Sequence, residues 1–405
     1  MTVRSVSRAI PVVRAAAVVA TLLSPAAAWS QTTELTVSAQ AQGGYSTNPF
    51  FVGTGDTGSA YVDLSIQPQL AQVDELGNVV ISANYHRTEY FRRYDGTDSY
   101  GVDASGQRRL SPLLAVHVNA GYYSAILGQG GLTTPTVVDP TTPVVGPTLP
   151  DITVLGLRQR QESINAGVGT DWQLSPLDST SLGVRMSRYD YGNNDPRLTS
   201  SRSISADASY TRTLSSRTSV GLSGSGTWTE FGRGGSSGDY YSAQATYHRQ
   251  LSEHLRMDLA AGILFIQSNT AGGRINTTGF SGNASLCSDA KRQTYCVRAY
   301  SSAQPTGFGD ISKSYGAGLS YSYRLNEDDF ITANADYSRV ETTSSLLQIP
   351  RSNYVNASLG YEHSFTRTLV GGAGAGYRRI SGGFFDHEDD LNLRIYLRIS
   401  LGDKK

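Results

Sequence analysis

Long apolar runs are missing from this sequence. From residue 31 onward, no run reaches the roughly 18 apolar residues that a transmembrane helix needs. Charged residues are also scarce, at 17% of the chain against about 25% in ordinary soluble domains. Glycine and tyrosine are plentiful instead, with 43 and 24 residues. A soluble α/β enzyme rarely has this composition, and a membrane protein without apolar helices has to be a β-barrel.

The chain also lacks a dominant charge and a cysteine framework. Lys plus Arg and Asp plus Glu both number 34, so the formal net charge is zero. No basic field is present to attract nucleic acid, which excludes nucleic acid as a partner. The two cysteines, Cys287 and Cys296, are too few for a metal site and close enough for one local disulfide in an exported chain.

Recognisable catalytic or metal-binding motifs are missing as well. The six histidines are scattered, and none has a metal-ligand spacing or forms a pair on a helix. We therefore expect no catalytic residues, no metal site and no cofactor. The chain is not expected to be an enzyme.

The N-terminus has the pattern of a secretory signal peptide. Arginines at positions 4, 8 and 14 precede an apolar stretch at residues 15–23, and small residues follow it. The apolar stretch is too short for a membrane anchor. We predict a signal peptide over residues 1–30, cleaved after Ala28 or Ser30, and a single barrel domain over residues 31–405.

The mature sequence repeats segments of about ten residues in which apolar and polar residues alternate. Leu35, Val37 and Ala39 share one face, for example, and Thr36 and Ser38 share the other. Sixteen such segments follow one another to residue 401. They predict an all-β fold, a single antiparallel transmembrane β-barrel of about sixteen strands, with fourteen or eighteen as alternatives.

The connections between these segments alternate between short and long. Short links include residues 175–178 and 326–329, and longer ones include residues 47–57, 192–202 and 382–390. Outer-membrane barrels have short periplasmic turns and long extracellular loops. This alternation places both termini in the periplasm and the protein in the outer membrane.

The two faces of the segments predict a lipid-facing and a lumen-facing surface. The apolar face carries tyrosines near the segment ends, as expected for an aromatic girdle. The other face is rich in Ser, Thr, Asn, Gln and Gly, and sixteen strands leave a lumen too wide for such side chains to fill. The charged candidates for the lumen are Asp63, Asp103, Arg185, Asp207, Asp336, Glu362, Arg378, Arg394 and Arg398.

Two connections are predicted to be unusually long outer loops. Residues 127–156 contain five prolines, which prevent regular strands, and residues 267–312 contain both cysteines. Either loop would fold into the lumen as a constriction or project outward to a partner. An ordered surface loop without a gating role is an equal alternative.

The recurring loop-to-strand pattern, as in RSNYVNA at residues 351–357 and GAGYRR at residues 374–379, resembles β-barrel porin families of Gram-negative bacteria. Some barrels of this kind are similar to those encoded with exopolysaccharide export systems. The chain departs from the usual aromatic last residue, because Leu401 is followed by four further residues. The resemblance implies a porin-like channel for polar solutes or a polysaccharide, with export of exopolysaccharide as one role.

The alternative is a structural or partner-binding barrel with a plugged pore, whose outer loops carry the function. The expected partners are outer-membrane lipid, the barrel assembly machinery, a polar solute or polysaccharide, and periplasmic export proteins.

Overall fold

A computed structural model describes residues 32–53, 57–126, 158–192, 195–232, 236–270, 273–342, 351–382 and 385–402. The predicted signal peptide and the predicted loop at residues 127–156 therefore lie outside the described residues. Among the described residues no helix is long and apolar enough to cross a membrane.

The described chain forms strands throughout. The eighteen strands are β1 (Thr32–Ser46), β2 (Ser59–Val73), β3 (Gly77–Tyr90), β4 (Thr97–Ser111), β5 (Leu114–Ile126), β6 (Arg160–Gln173), β7 (Asp178–Tyr191), β8 (Ser201–Ser215), β9 (Thr218–Phe231), β10 (Ser237–Gln250), β11 (Leu255–Thr270), β12 (Gly273–Asp289), β13 (Gln293–Pro305), β14 (Ile311–Arg324), β15 (Asp329–Thr342), β16 (Ser352–Ser364), β17 (Leu369–Gly382) and β18 (Phe385–Gly402).

Each strand pairs antiparallel with its sequence neighbours, and the sheet closes on itself because β1 pairs with both β2 and β18. Thr36 lies opposite Gly402, and Ser46 lies opposite Asn392. The closed antiparallel barrel is confirmed. The favoured count of sixteen strands is wrong, and the alternative of eighteen is the number found.

The two additional strands lie inside the segment that was predicted to be the longest outer loop, residues 267–312. β12 and β13 occupy most of it. On the outward face of β12, only Phe280 and Leu286 are large exposed apolar side chains, and the other outward positions are small or polar. The hydrophobic alternation is therefore too weak to indicate a strand from sequence. The predicted loop at 382–390 is also wrong, since β18 begins at Phe385.

Cys287 and Cys296 lie directly opposite each other on β12 and β13 and are joined by a disulfide, with their Cα atoms 4.0 Å apart. Only residues 290–292 connect the two strands at this end. The disulfide therefore links two paired strands of the wall, whereas the sequence suggested a ring within an outer loop.

Alternation along each strand separates an apolar outer surface from a polar inner one. On β2, Val62, Leu64 and Ile66 are 39–55% exposed, whereas Tyr61 and Asp63 are at most 2% exposed. The same period of two repeats around the barrel. Exposed apolar side chains form a continuous outer belt, which is the surface that hydrocarbon requires.

Connections of different lengths mark the two ends. Eight short connections, from residues 74–76 to residues 365–368, share one end with both termini of the described chain. We call this the short-turn end. The other end carries nine connections, including the longest ones, and is called the long-loop end.

Candidate functional site in the barrel interior

The interior surface holds the charged residues predicted from the sequence. All nine lie on the strand face that alternates with the exposed apolar belt, which is the inner face of the wall. They are five carboxylates and four guanidinium groups: Asp63, Asp103, Asp207, Asp336 and Glu362, with Arg185, Arg378, Arg394 and Arg398. Neither sign dominates, so the interior is strongly polar without a large net charge.

On the wall formed by β13 to β18, charged side chains meet in pairs. Arg298 and Asp336 approach to 2.9 Å. Arg398 and Glu362 approach to 3.1 Å, and the Tyr396 hydroxyl donates to Glu362 at 2.6 Å. Arg298 escaped prediction because β13 was not predicted.

Glycines on the neighbouring strands let these long side chains lie flat. A Cβ atom at Gly318 would come within 2.8 Å of the Arg298 Nε, and one at Gly374 within 3.2 Å of the Arg394 Nε. A Cβ at Gly372 would come within 2.5 Å of the Tyr396 hydroxyl oxygen. The glycines therefore let the guanidinium and phenol groups lie against the wall.

A second group of polar contacts lies on β2 and β3. The buried Asp63 carboxylate contacts the His86 Nε2 at 2.6 Å and accepts a hydrogen bond from the Thr88 hydroxyl at 2.7 Å. These contacts compensate a carboxylate that is only 1% exposed.

The wall formed by β4 to β8 is different, because its predicted charges are not paired. Asp103, Arg185 and Asp207 are exposed to the lumen. No ion pair or hydrogen bond connects their side chains to any of the described residues. These three groups are consequently accessible to a solute.

The connection between β1 and β2 turns into the barrel mouth at the long-loop end. Phe50 and Phe51 are 0% and 1% exposed, although they belong to a loop. The Asn48 side chain braces the turn, because its Oδ1 accepts from the Val52 N–H at 2.8 Å and its Nδ2 donates to the Val52 carbonyl at 3.2 Å. We call residues 47–53 the inward segment.

A buried ion pair of the wall holds this segment. Arg378 and Asp390 approach to 2.6 Å, with side chains 5% and 0% exposed. The Asp390 carboxylate also accepts from the Ser46 hydroxyl at 2.5 Å and from the Asn48 N–H at 2.9 Å. Arg378 donates to the Pro49 carbonyl at 3.3 Å and lies 4.8 Å from the Phe51 ring centroid. The inward segment thus adds hydrogen bonds to both members of the buried ion pair.

Phe50 connects the inward segment to two further loops. Its ring centroid lies 5.4 Å from that of Tyr90 and 4.9 Å from that of Tyr94. The Arg158 guanidinium lies 4.4 Å from the Phe50 centroid, within the range of a cation–π interaction. Three connections of the long-loop end therefore meet around one phenyl ring.

A second stretch also enters the mouth, at the tip of the β13–β14 hairpin. Ile311 is 0% exposed and packs with Phe231, Leu264 and Ile266, which are side chains of β9 and β11. We call residues 303–312 the hairpin tip. Gly238 of β10 makes room for it, since a Cβ there would come within 2.5 Å of the Ile311 Cγ1.

Hydrogen bonds carry the hairpin tip further across the interior. The Gly307 carbonyl accepts from the Thr199 N–H, in the connection before β8, at 2.8 Å. The buried Asp310 carboxylate accepts from the Ser268 hydroxyl at 3.1 Å and from the Ile311 N–H at 2.7 Å. The inward segment and the hairpin tip together narrow the long-loop end.

The sequence analysis gave no inward course for residues 47–53, whereas for residues 267–312 a fold into the lumen was one of its alternatives. The inward segment falls in a connection that was identified only as long, and the hairpin tip falls in the wrongly predicted loop. A usable signal was the run Pro49-Phe50-Phe51-Val52, because two phenylalanines exposed on a polar loop would be unfavourable. Nothing in the sequence around Asp390 indicated that its carboxylate would bind the inward segment.

Within the described ranges, no three His, Cys, Asp or Glu side chains are grouped closely enough to hold a metal ion.

No protein-family model and no curated protein matches the chain. Among solved structures, it is similar to OpdG of Pseudomonas aeruginosa at 12% identity and a TM-score of 0.48, over 92% of this chain and 98% of that one. It is also similar to OpdQ of the same organism at 10% identity and a TM-score of 0.46, over 91% of this chain and 98% of that one. The ferric-catecholate import receptor Fiu from E. coli is similar at 10% identity and a TM-score of 0.46, over 91% of this chain and 82% of that one.

These TM-scores are all under 0.5 and the identities are 12% or less, so the likeness assigns no activity to this chain. None of the three is named as a polysaccharide exporter. The resemblance to barrels of exopolysaccharide export gains no support from these matches.

Proposed function

We propose that this protein is an outer-membrane channel of a Gram-negative bacterium that passes small polar solutes. The observation that carries the proposal is the closed eighteen-stranded barrel, with an apolar outer belt and a polar, charged interior. A closed sheet satisfies its backbone hydrogen bonds in hydrocarbon, and a barrel of this size has room for water inside.

The interior chemistry favours solutes that combine polar groups or both signs of charge. Asp103, Arg185 and Asp207 offer accessible charges of both signs on one wall, while the opposite wall offers paired charges. Two inward structures narrow the mouth, which favours small solutes over a polysaccharide. A polysaccharide is the alternative solute that the resemblance to porin families implied.

The proposed orientation follows from the general asymmetry of outer-membrane barrels. The short-turn end and both termini would face the periplasm after removal of residues 1–30. The inward segment and the hairpin tip would then lie at the extracellular mouth. A thiol label applied to intact cells should reach the cysteine of an Arg197→Cys variant and miss that of a Leu177→Cys variant, since both positions are exposed at opposite ends of the barrel. The reverse pattern would invert the orientation.

The second candidate function is a plugged barrel that binds a partner through its outer loops. It is favoured by the apolar packing around Phe50 and Ile311, which is unusual for a water-filled mouth. Single-channel recording in a planar bilayer separates the two candidates. A channel gives stepwise conductance that increases with salt concentration. Folded protein that inserts but gives no conductance steps would support the plugged barrel and contradict the channel.

A further inference from the structure

The lipid-facing surface has an apolar groove on β1 and β15 to β18. Its volume is ≈ 740 Å³. The floor is made of the small residues Ala373 and Ala375, and the sides are bulky. Leu359 of β16 and Ile395 of β18 flank the floor and are 56% and 67% exposed.

The groove follows one strand toward the long-loop end. Gly371, Ala373 and Ala375 are successive outward positions of β17, and Tyr377 and Arg379 continue the same line. At about 3.3 Å per residue and a tilt of about 40°, Arg379 lies roughly 15 Å above Ala373. That height is about half of a hydrocarbon core of about 30 Å, so one lipid leaflet would span it.

Arginines surround the upper end of this line. Arg379 contacts Asp389 at 3.5 Å, and Arg339 and Arg351 contact Glu341 at 2.8 and 3.3 Å. The outward rim of β15 to β18 thus carries two separate clusters, a neutral Arg379–Asp389 pair and a Glu341 carboxylate shared by two arginines, with one positive charge in excess. All five side chains are at least 29% exposed, so their mutual attraction is weak and an added anion can compete for it.

We propose that this groove and rim form a binding site for a membrane lipid with an anionic phosphate headgroup. The acyl chain occupies the groove along Ala373 and Ala375, and the phosphate contacts Arg379 and Arg351. Guanidinium groups bind phosphate oxygens in a bidentate manner, which suits this rim. The site requires that the barrel spans a membrane, but it does not require an open channel.

A second copy of the chain is a poorer occupant. A symmetric dimer around this groove would place the same rim of each copy at the same height. The excess positive charge of one rim would then face that of the other, which disfavours association. A phosphate headgroup instead complements the rim.

The test measures lipid retention by native mass spectrometry of the folded barrel in detergent, with dimyristoyl phosphatidylglycerol added and dimyristoyl phosphatidylcholine as the zwitterionic comparison. Wild-type protein should retain one phosphatidylglycerol at least tenfold more tightly than phosphatidylcholine. Ala373→Leu with Ala375→Leu fills the groove, and Arg351→Gln with Arg379→Gln removes the headgroup contacts. Each pair should weaken phosphatidylglycerol retention at least tenfold.

Matched controls lie on the outward face of β7 and β8. Ala206→Leu with Ala208→Leu repeats the change of small residues, and Arg188→Gln with Arg202→Gln repeats the loss of rim arginines. Neither should alter retention. Heat-modifiable gel migration verifies that each variant folds, and Ala373→Leu alone replaces the groove pair if that pair does not fold.

Equal retention by wild type and both site variants would overturn the proposal. Loss in the arginine variant alone would indicate surface attraction of an anion without a groove, and would also overturn it. A dimer that disappears when the groove is filled would assign the groove to a second copy. Because stepwise conductance does not depend on a lipid bound to the outer surface, failure of the lipid site leaves the channel proposal unaffected.

Discussion

The inward segment and the hairpin tip occupy the same mouth but are held by different forces. The inward segment is anchored by the wall, whose buried Arg378 and Asp390 bind its backbone. The hairpin tip instead brings its own anchor, Ile311, into an apolar pocket of the wall. A buried ion pair depends on both partners and on their geometry, whereas apolar packing depends on volume.

This difference teaches which substitutions each structure tolerates. Loss of one charge leaves the other charge buried and uncompensated, so an isosteric change is enough to release the inward segment. The apolar anchor tolerates an isosteric change and responds to lost volume. The anchoring contacts described above belong to different strands, so each structure should respond alone.

The largest effect is expected from Asp390→Asn. The change keeps the shape but leaves the Arg378 charge without its carboxylate, at a cost of about 3–5 kcal/mol. The inward segment should leave the mouth, and single-channel conductance should rise. Asp389→Asn is the control, because Asp389 is exposed and its pair with Arg379 contributes only about 0–1 kcal/mol. Equal conductance of both variants would show that the ion pair does not hold the segment.

Ile311→Ala is expected to have the next largest effect. Truncation of a buried isoleucine costs about 2–5 kcal/mol, whereas Ile311→Val costs about 0.5–1.5 kcal/mol. Hydrogen exchange at residues 306–312 should accelerate strongly in the alanine variant and slightly in the valine variant. Exchange at residues 47–53 should not change. If Ile311→Val accelerates hydrogen exchange at residues 306–312 as much as Ile311→Ala does, apolar volume is not what holds the hairpin tip.

A smaller effect is expected when one hydroxyl is removed from each anchor. Ser46→Ala and Ser268→Ala each remove a donor to a buried carboxylate, Asp390 or Asp310. A hydrogen bond to a charged group contributes about 1.5–3 kcal/mol. The effects should add within about 0.5 kcal/mol in the double variant, as measured by hydrogen exchange at each site. Strong non-additivity would mean that the two structures are coupled.

The smallest effect on both anchors is expected from Cys287→Ser with Cys296→Ser. Closing a ring this short contributes about 2–3 kcal/mol in the chain-entropy model. The contribution is confined to β12 and β13 near the short-turn end, far from the mouth. Wild-type protein should show no free thiol without reduction, and exchange at residues 47–53 and 306–312 should be equal in both proteins. Faster exchange at either site would connect the disulfide to the mouth.

The sequence could predict the barrel because lipid and water impose opposite requirements on alternate residues. The period of two is clear where large apolar groups face outward, as in Val62, Leu64 and Ile66. It fails on β12, where most outward positions are small or polar. The inner position of a charge such as Arg378 follows from the same period, but its partner Asp390 does not, because pairing depends on the register between two strands. The inward course of residues 47–53 depends on contacts with distant strands and had only the two phenylalanines as a local signal.

The strands β12 and β13 change the width of the barrel. Barrel diameter grows about linearly with strand number, so eighteen strands enclose roughly a quarter more cross-section than sixteen. The last residues of β13 belong to the hairpin tip that enters the mouth. β13 therefore widens the barrel and, through the hairpin tip, also narrows its mouth at the long-loop end. A deletion of β12 and β13 would shrink the barrel and remove part of its constriction at once, so pore area and selectivity cannot be adjusted separately in this part of the chain.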